Sequence, residues 1–203
     1  MALQQDHHRI SAEVYLRQEI SSDIKHQLIN GEIFAMGGAS ENHNLLAGNI
    51  FSEFKSRLKG LPCRSFMADM KLRVAEDFFY PDVMVVCRED NESEYYKTAP
   101  TTIVEILSKT TRKFDQTQKR LRCQTLPTLE EYVLIEQDKG EIQVFSRKDG
   151  WQSFYYYLGD QLIFHSLDIT IPVEAIYDQV NNEDVAVYLE QKQRNEPDEP
   201  MSS

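Results

Sequence analysis

Three acids and one lysine fall where their chemistry is hard to explain as packing. Glu105 interrupts the apolar run Ile103, Val104, Ile106, Leu107, which otherwise reads as a short strand buried on both faces. A carboxylate there is costly unless a cation pairs with it or a metal ion binds it. Asp82 opens a second apolar stretch, YPDVMVV. If the two stretches are neighbouring strands, both carboxylates converge at one end of a sheet. Two carboxylates, a backbone carbonyl and waters suit Mg²⁺ or Mn²⁺, hard cations that keep several waters. Such an ion activates water and stabilises charge on a phosphoryl group. The competing reading is internal pairing of each acid with a buried Lys or Arg.

Asp115 and Lys119 stand four apart in FDQTQKR, on one face of a predicted helix. On the surface they would form an ordinary ion pair, worth at most about 0.5 kcal/mol. The helix directly follows the Glu105 strand, however, so its inner face can return Lys119 to the carboxylates. A lysine there would hold a water or neutralise developing negative charge. Lys109, Arg112, Lys113, Lys119, Arg120 and Arg122 surround the lone acid Asp115 and make a positive island. The island fits contacts to a phosphate backbone, with Lys109, Arg112, Lys113 and Arg120 as the candidates. It fits a solvated helix face equally well.

The elements that must position these groups are readable in outline. Ser11 caps a short helix to about Ile20, and Asn30-Gly31 marks a turn into a short strand. Ser40 caps a longer helix whose Leu46, Ile50, Phe54 and Leu58 form one apolar stripe, ended by Gly60 and Pro62. CRSFMADMKLRV is one predicted strand. FYPDVMVVC is a second, opened by Pro81. A polar loop, REDNESEYYKTA, follows, and then TTIVEIL. Ser108 or Thr110 caps the next helix, which runs to about Gln124. EEYVLIEQ and EIQVFSR form a hairpin, WQSFYYYL and QLIFHSLDITI add strand, and short helices follow near 175–179 and 184–193. The order of helices and strands predicts one α/β domain with a central mixed sheet.

Bulk composition narrows the function. A chain of 203 residues, 41% hydrophobic and 27% charged, suits one soluble domain with a real core. No apolar run is long enough to span a membrane. The first residues, MALQQDHHRI, lack the pattern of a signal peptide. Cys63, Cys87 and Cys123 are odd in number and lack CxxC spacing, so they read as reduced thiols of a cytoplasmic protein. Net charge is −11, which argues against nonspecific coating of DNA but not against a local basic groove. Residues 183–203 hold six acids and two bases, a net −4, leaving −7 on the rest. They read as an acidic, disordered tail after a single domain at 1–182.

The motifs together resemble a known family. PD in YPDVMVV, ExLS in VEILSKTT, DxxxK in FDQTQK and EYxLI in LEEYVLI follow the order seen in the Uma family. These are restriction-endonuclease-like proteins of the PD-(D/E)xK nuclease superfamily. NGEIFAMGGASENHNLLAGNI is similar to the family's N-terminal signature, and the resemblance spans about residues 11–180. It implies a restriction-endonuclease-like α/β core, a central mixed sheet flanked by helices, and a divalent-metal-dependent nuclease. Asp82 and Glu105 would be metal ligands, helped by the Ile106 carbonyl. The superfamily's usual lysine position holds Leu107, and the resemblance moves that role to Lys119, with Lys71 a second donor. Asp69 precedes Lys71 by two and so shares its strand face. Glu32 matches the glutamate of the family's GE signature. His43 matches the histidine opening the long helix, where its place on the apolar stripe fits a structural histidine better than a catalytic one. Relatives often carry Glu-Tyr where this chain has Gln27-Leu28.

The function implied is an endonuclease hydrolysing phosphodiester bonds in DNA, expected to act as a homodimer. Two other readings are open: a nuclease fold that binds DNA or a partner without cutting, and a dimeric structural protein whose acids pair internally.

Overall fold

The computed structural model describes residues 9–88 and 93–195. Helix α1 (Ala12–Glu19) starts at Ser11, whose hydroxyl accepts from the Val14 N–H. Strands β1 (His26–Ile29) and β2 (Glu32–Ala35) form a hairpin over Asn30-Gly31, both at positive φ, as a two-residue Asn-Gly turn demands. Helix α2 (Glu41–Arg57) is capped by Ser40 and buries Leu46, Ile50 and Phe54 along one face. Strands β3 (Arg64–Met67), β4 (Lys71–Val74), β5 (Asp77–Phe79), β6 (Val83–Val86), β7 (Tyr96–Lys97) and β8 (Thr102–Leu107) follow. One helical run then covers 112–123: α3 (Arg112–Phe114), a π-helical turn (Asp115–Lys119) and α4 (Arg120–Cys123). Strands β9 (Glu131–Glu136), β10 (Glu141–Ser146), β11 (Ser153–Tyr157), β12 (Gln161–Phe164) and β13 (Ile169–Pro172) precede helices α5 (Val173–Ile176) and α6 (Glu183–Asn195).

The centre is a six-stranded mixed sheet, β11-β10-β9-β8-β6-β3, in which β8 and β9 run parallel and the other pairs antiparallel. A five-stranded sheet, β2-β1-β5-β4-β7, lies beside it. Strand alternation divides the central residues between two faces. Val83, Val85, Val104 and Ile106 pack with Leu46, Ile50 and Phe54 of α2. Met84, Ile103 and Leu107 join Leu72, Phe79, Cys123 and Tyr132 on the other side. Glu105 has the parity of Ile103 and Leu107, so it points away from α2 and toward the helical run that carries Lys119. Burying each such aliphatic or aromatic side chain contributes about 1.5–3 kcal/mol, which makes the frame around Glu105 stiff.

Four expectations need correction. CRSFMADMKLRV is two strands: Ala68 takes a left-handed φ of 53°, the chain turns, and β3 and β4 enter different sheets. Pro81 does not open a strand but links β5 to β6, so Asp82 sits just ahead of β6. The acidic tail does not start at 183: the helix expected at 184–193 is present as α6, from 183 to 195. Val185 is buried, and the Gly140 N–H donates to the Asp184 carboxylate at 2.8 Å. The remaining tail residues, 196–203, lie outside the described residues.

Finally, Cys63 and Cys87 are joined in a disulfide, and Cys123 alone is free and buried. The physical reason is register: Arg64 pairs with Val86 across antiparallel β3 and β6, which sets residues 63 and 87 opposite each other. Spacing along the chain hid that proximity, so the cysteines do not argue for a reducing compartment. Among the described residues no helix is long and apolar enough to cross a membrane.

Candidate functional site

Glu105 lies in β8 between Val104 and Ile106, opposite Leu134 of β9, and its side chain is 3% exposed. The Lys119 ammonium, also 3% exposed, stands 2.7 Å from Glu105 Oε1. The contact is short but poorly directed: Oε1 has no aligned hydrogen-bond donor. It is therefore an ion pair whose acceptor is left partly unmet. Lys119 also lies 3.8 Å from Asp115 Oδ1 and donates to the Tyr80 carbonyl at 3.3 Å. Asp115 and Lys119 form no surface pair; both are buried within the π-helical turn. π-Turns are rare and recur at functional sites, because the wider turn re-aims side chains that an α-helix would hold elsewhere.

Asp82 is the open member of the group, 22% exposed. Its Oδ2 accepts from the Ile106 N–H at 2.7 Å and lies 3.3 Å from His43 Nε2. The amide of the residue after Glu105 thus fixes Asp82 against β8. His43 enters from the first turn of α2, where Ser40 accepts the His43 N–H and holds that helix end.

The electrostatics are unbalanced. Burial raises the Glu105 carboxyl well above its ordinary range; Lys119 opposes this, and Asp115 and Asp82 add to it. Burial likewise raises Asp115 against the pull of Lys119. Burial works to lower Lys119, but Glu105, Asp115 and Asp82 outweigh it and hold the ammonium charged, above its usual value. Burial also disfavours protonated His43, yet the hydrogen bond and charge of Asp82 raise its pKa. Glu105 and Asp115 both face the one Lys119 ammonium, so their titrations are coupled, and burial favours a retained proton on them.

The donor set can be tested against a divalent ion. Among the described residues no three His, Cys, Asp or Glu side chains gather as a metal cage. The site has instead two carboxylates flanking a backbone segment, excess negative charge and an undirected Glu105 oxygen. That composition fits an oxygen-loving cation which keeps its waters.

Other sequence candidates lie elsewhere. Glu32 is exposed at the start of β2, paired in register with Ile29 and in no described contact with the carboxylates. Lys71 is buried beside a different group, with its ammonium 5.3 Å from the Tyr80 ring centre, and burial lowers its pKa. Asp69 pairs with Lys25 in the turn before β4. Of the basic island, Arg112 pairs with Glu136 and lies 3.7 Å from Asp138. Arg120 donates to the Gln116 carbonyl and stacks on Phe145, and Arg122 pairs with Asp77. Lys109 borders a polar cleft of about 500 Å³ between the start of α2 and the ends of β8 and β9. None of the carboxylates of the buried group lines that cleft.

Two contributors were invisible in the sequence because they are backbone groups: the Tyr80 carbonyl on Lys119 and the Ile106 N–H on Asp82. A second buried polar group was also missed. Glu19 Oε1 accepts from the His26 N–H at 2.8 Å and the Tyr80 hydroxyl at 2.9 Å, and Oε2 meets His26 Nδ1 at 3.1 Å. Tyr15 donates to the His26 carbonyl at 2.6 Å. Tyr15 and Glu19 one turn apart on α1 were the available signal.

Residues 12–174 match the family described as "Putative restriction endonuclease", Uma2. The uncharacterized protein slr1290 of Synechocystis sp. is 30% identical over 174 residues, covering 83% of this chain and 92% of that protein. The uncharacterized protein sll1609 of the same organism is 38% identical over 133 residues, 63% of this chain and 75% of that protein. Among solved structures, a "putative nuclease belonging to DUF820" from Anabaena variabilis superposes with a TM-score of 0.71 at 17% identity. The superposition covers 85% of this chain and 99% of the other, and shows a shared fold.

Proposed function

The chain belongs to the Uma2 family, and from that premise we propose that it is a divalent-metal-dependent endonuclease hydrolysing phosphodiester bonds in DNA. The observation that supports this reading is the buried group of Glu105, Asp115 and Lys119 with the more open Asp82 beside it, in which burial and neighbouring acids raise Glu105. Asp82 and Glu105, with the Ile106 carbonyl, are the groups that would hold Mg²⁺ or Mn²⁺. When bound, the ion supplies Lewis-acid stabilisation of phosphoryl charge and a more acidic water.

The chain's own residues do the rest. Asp82 is the most exposed carboxylate of the group, so the substrate phosphate approaches from the side of Asp82 and His43. Lys119, held charged by its three acids, lowers the cost of negative charge developing on the phosphoryl oxygens. His43, hydrogen-bonded to Asp82, orients that carboxylate and contributes positive charge when protonated. Lys109, at the edge of the cleft, supplies a backbone-phosphate contact. Arg112 and Arg120 are committed inside the protein and contribute less than their position in the sequence implies.

Calorimetric titration of Mn²⁺ into the parent and into Asp82→Asn/Glu105→Gln, with and without a short DNA duplex, tests the reading. Heat of binding in the parent that is lost in the double variant supports it. Equal heats in both, with duplex present, refute the metal assignment. Duplex binding without cleavage under any divalent ion would select the non-cutting module instead.

A further inference from the structure

We propose that the polar cleft beside α2 is a subsite for one phosphodiester of a nucleic acid strand, flanking the phosphate that reacts at Asp82. The inference rests on the nuclease reading and adds the groups that grip the strand outside the reacting centre. Three element ends meet at the cleft. The parallel strands β8 and β9 of the central sheet run out into Lys109, Thr110, Gln137 and Asp138, and α2 begins there with Ser40, Glu41 and Asn42. Open α/β sheets collect ligands outside the carboxyl ends of parallel strands, where the connections diverge. The cavity of about 500 Å³ has room for a nucleotide unit.

Gln137 indicates what the cleft takes. It lines the cleft and is only 7% exposed. The Ser40 hydroxyl accepts from the His43 N–H, so its own proton goes to Gln137 Oε1 at 2.5 Å. That bond fixes the amide and leaves Nε2 as a donor with no acceptor among the described residues. Two backbone donors stand beside it. In the first turn of α2, Ser40 takes the N–H groups of His43 and Asn44, while those of Glu41 and Asn42 meet no acceptor among the described residues. Lys109 adds an exposed ammonium with no ion pair among the described residues. Its loop is held by the Ser108 hydroxyl, which meets those of Thr110 and Thr111 at 3.1 and 2.9 Å and accepts the Thr111 N–H. A buried amide donor, open helix N–H groups and one cation suit an anionic oxygen ligand. Charge limits that ligand. Glu41 and Asp138 also line the cleft, and Arg112, 3.7 Å from Asp138, is already paired with Glu136. One lysine matches the single charge of a phosphodiester and not the double charge of a phosphate monoester. The first turn of α2 serves both places: Ser40, Glu41 and Asn42 line the cleft, and His43 lies 3.3 Å from Asp82.

Binding is measured in chelator and low salt, so that neither cleavage nor metal affinity enters. The probe is a short fluorescent single-stranded deoxyribonucleotide, read by anisotropy against the full chain and against Gln137→Glu. That variant keeps the acceptor for Ser40 and puts an anionic oxygen where Nε2 stood, so Kd is expected to rise about tenfold or more. The same strand with uncharged methylphosphonate linkages is expected not to bind. In the parent, the nuclear magnetic resonance signals of the Gln137 side-chain amide and of the Glu41 and Asn42 N–H groups are expected to shift as the strand is added. A parent that does not bind the strand overturns the proposal. So does a Kd unchanged in folded Gln137→Glu, or displacement of the strand by inorganic phosphate at the same concentration. Should Gln137→Glu fail to fold by circular dichroism, the Gln137 amide signal of the parent decides: a strand that binds and leaves it unmoved overturns the proposal. The two readings fail separately. A parent that binds as described and never cuts with a divalent ion loses the nuclease reading and keeps the subsite. One that cuts while these signals stay unmoved loses the subsite alone.

Discussion

Two of the buried polar groups in this protein, around Glu19 and around Glu105, are satisfied in opposite ways. Around Glu19 the accounting closes: both carboxylate oxygens face donors, and Tyr15 and Tyr80 tie α1 to β1 and to the chain entering β6. Around Glu105 it does not close, because two buried carboxylates, Glu105 and Asp115, face one ammonium and Glu105 Oε1 lacks an aligned donor. A buried polar group kept for the fold is expected to be fully paired. Excess like charge held in such a group is the pattern expected of a functional site. Tyr80 joins the two, since its hydroxyl belongs to the satisfied group and its carbonyl receives Lys119. The satisfied group therefore braces the unsatisfied one.

The sharpest break in that comparison is Lys119→Met. Removing the ammonium leaves buried carboxylates uncompensated, so urea denaturation should show a loss of about 3–5 kcal/mol, together with loss of DNA cleavage. Unchanged stability would mean the acids are already neutral and the charge imbalance is not real.

Glu105→Gln separates stability from activity. The raised folded pKa of Glu105 means the native state binds its proton more tightly than the unfolded chain. That contribution is fully present below the unfolded value near 4.5 and is lost as pH rises through the folded pKa. Relative to the parent, Glu105→Gln should therefore gain stability from pH 4.5 upward while losing cleavage. Melting temperatures taken across pH show it, and a variant that falls steadily behind the parent would reverse the assignment.

How much of this was readable beforehand depended on whether a residue broke its local pattern. Glu105 did so inside an apolar strand, and Asp82 and Lys119 followed from order along the chain. Asp115 and Lys119 carried only helix spacing, and nothing in that spacing distinguishes an exposed pair from the buried π-turn observed. Lys71 shares the alternation of its strand, but strand parity does not say which sheet the strand enters, and it entered the one beside Glu19 and Tyr80. Glu32 was drawn toward the site by the resemblance alone, and the hairpin leaves it exposed. The disulfide and the α6 contact at Gly140 depend on long-range register, which no local window contains.

Smaller effects sharpen the contrast further. Tyr80→Phe removes one hydrogen bond from a group that keeps its others, so a loss of about 1 kcal/mol is expected, with cleavage retained. A collapse of activity with intact stability would instead place Tyr80 in the chemistry. His43→Gln should cost less, and only at low pH. Its raised pKa gives the parent an advantage fully present below pH 6.5, which fades as pH rises through the folded value. A stability difference that grows with pH would contradict that sign. Lys109→Ala should leave stability within about 0.5 kcal/mol. It should lower the salt dependence of duplex binding by about one unit of slope, read from binding curves at several salt concentrations.

The most direct test of the central claim is cleavage of supercoiled DNA by the purified chain, with Mg²⁺ or Mn²⁺ and with chelator, beside Glu105→Gln confirmed as folded. The account predicts nicking or linearisation by the parent that requires the divalent ion and is lost in the variant. Cutting that survives Glu105→Gln at the parent's rate, or a parent that binds the duplex and never cuts it, would contradict it.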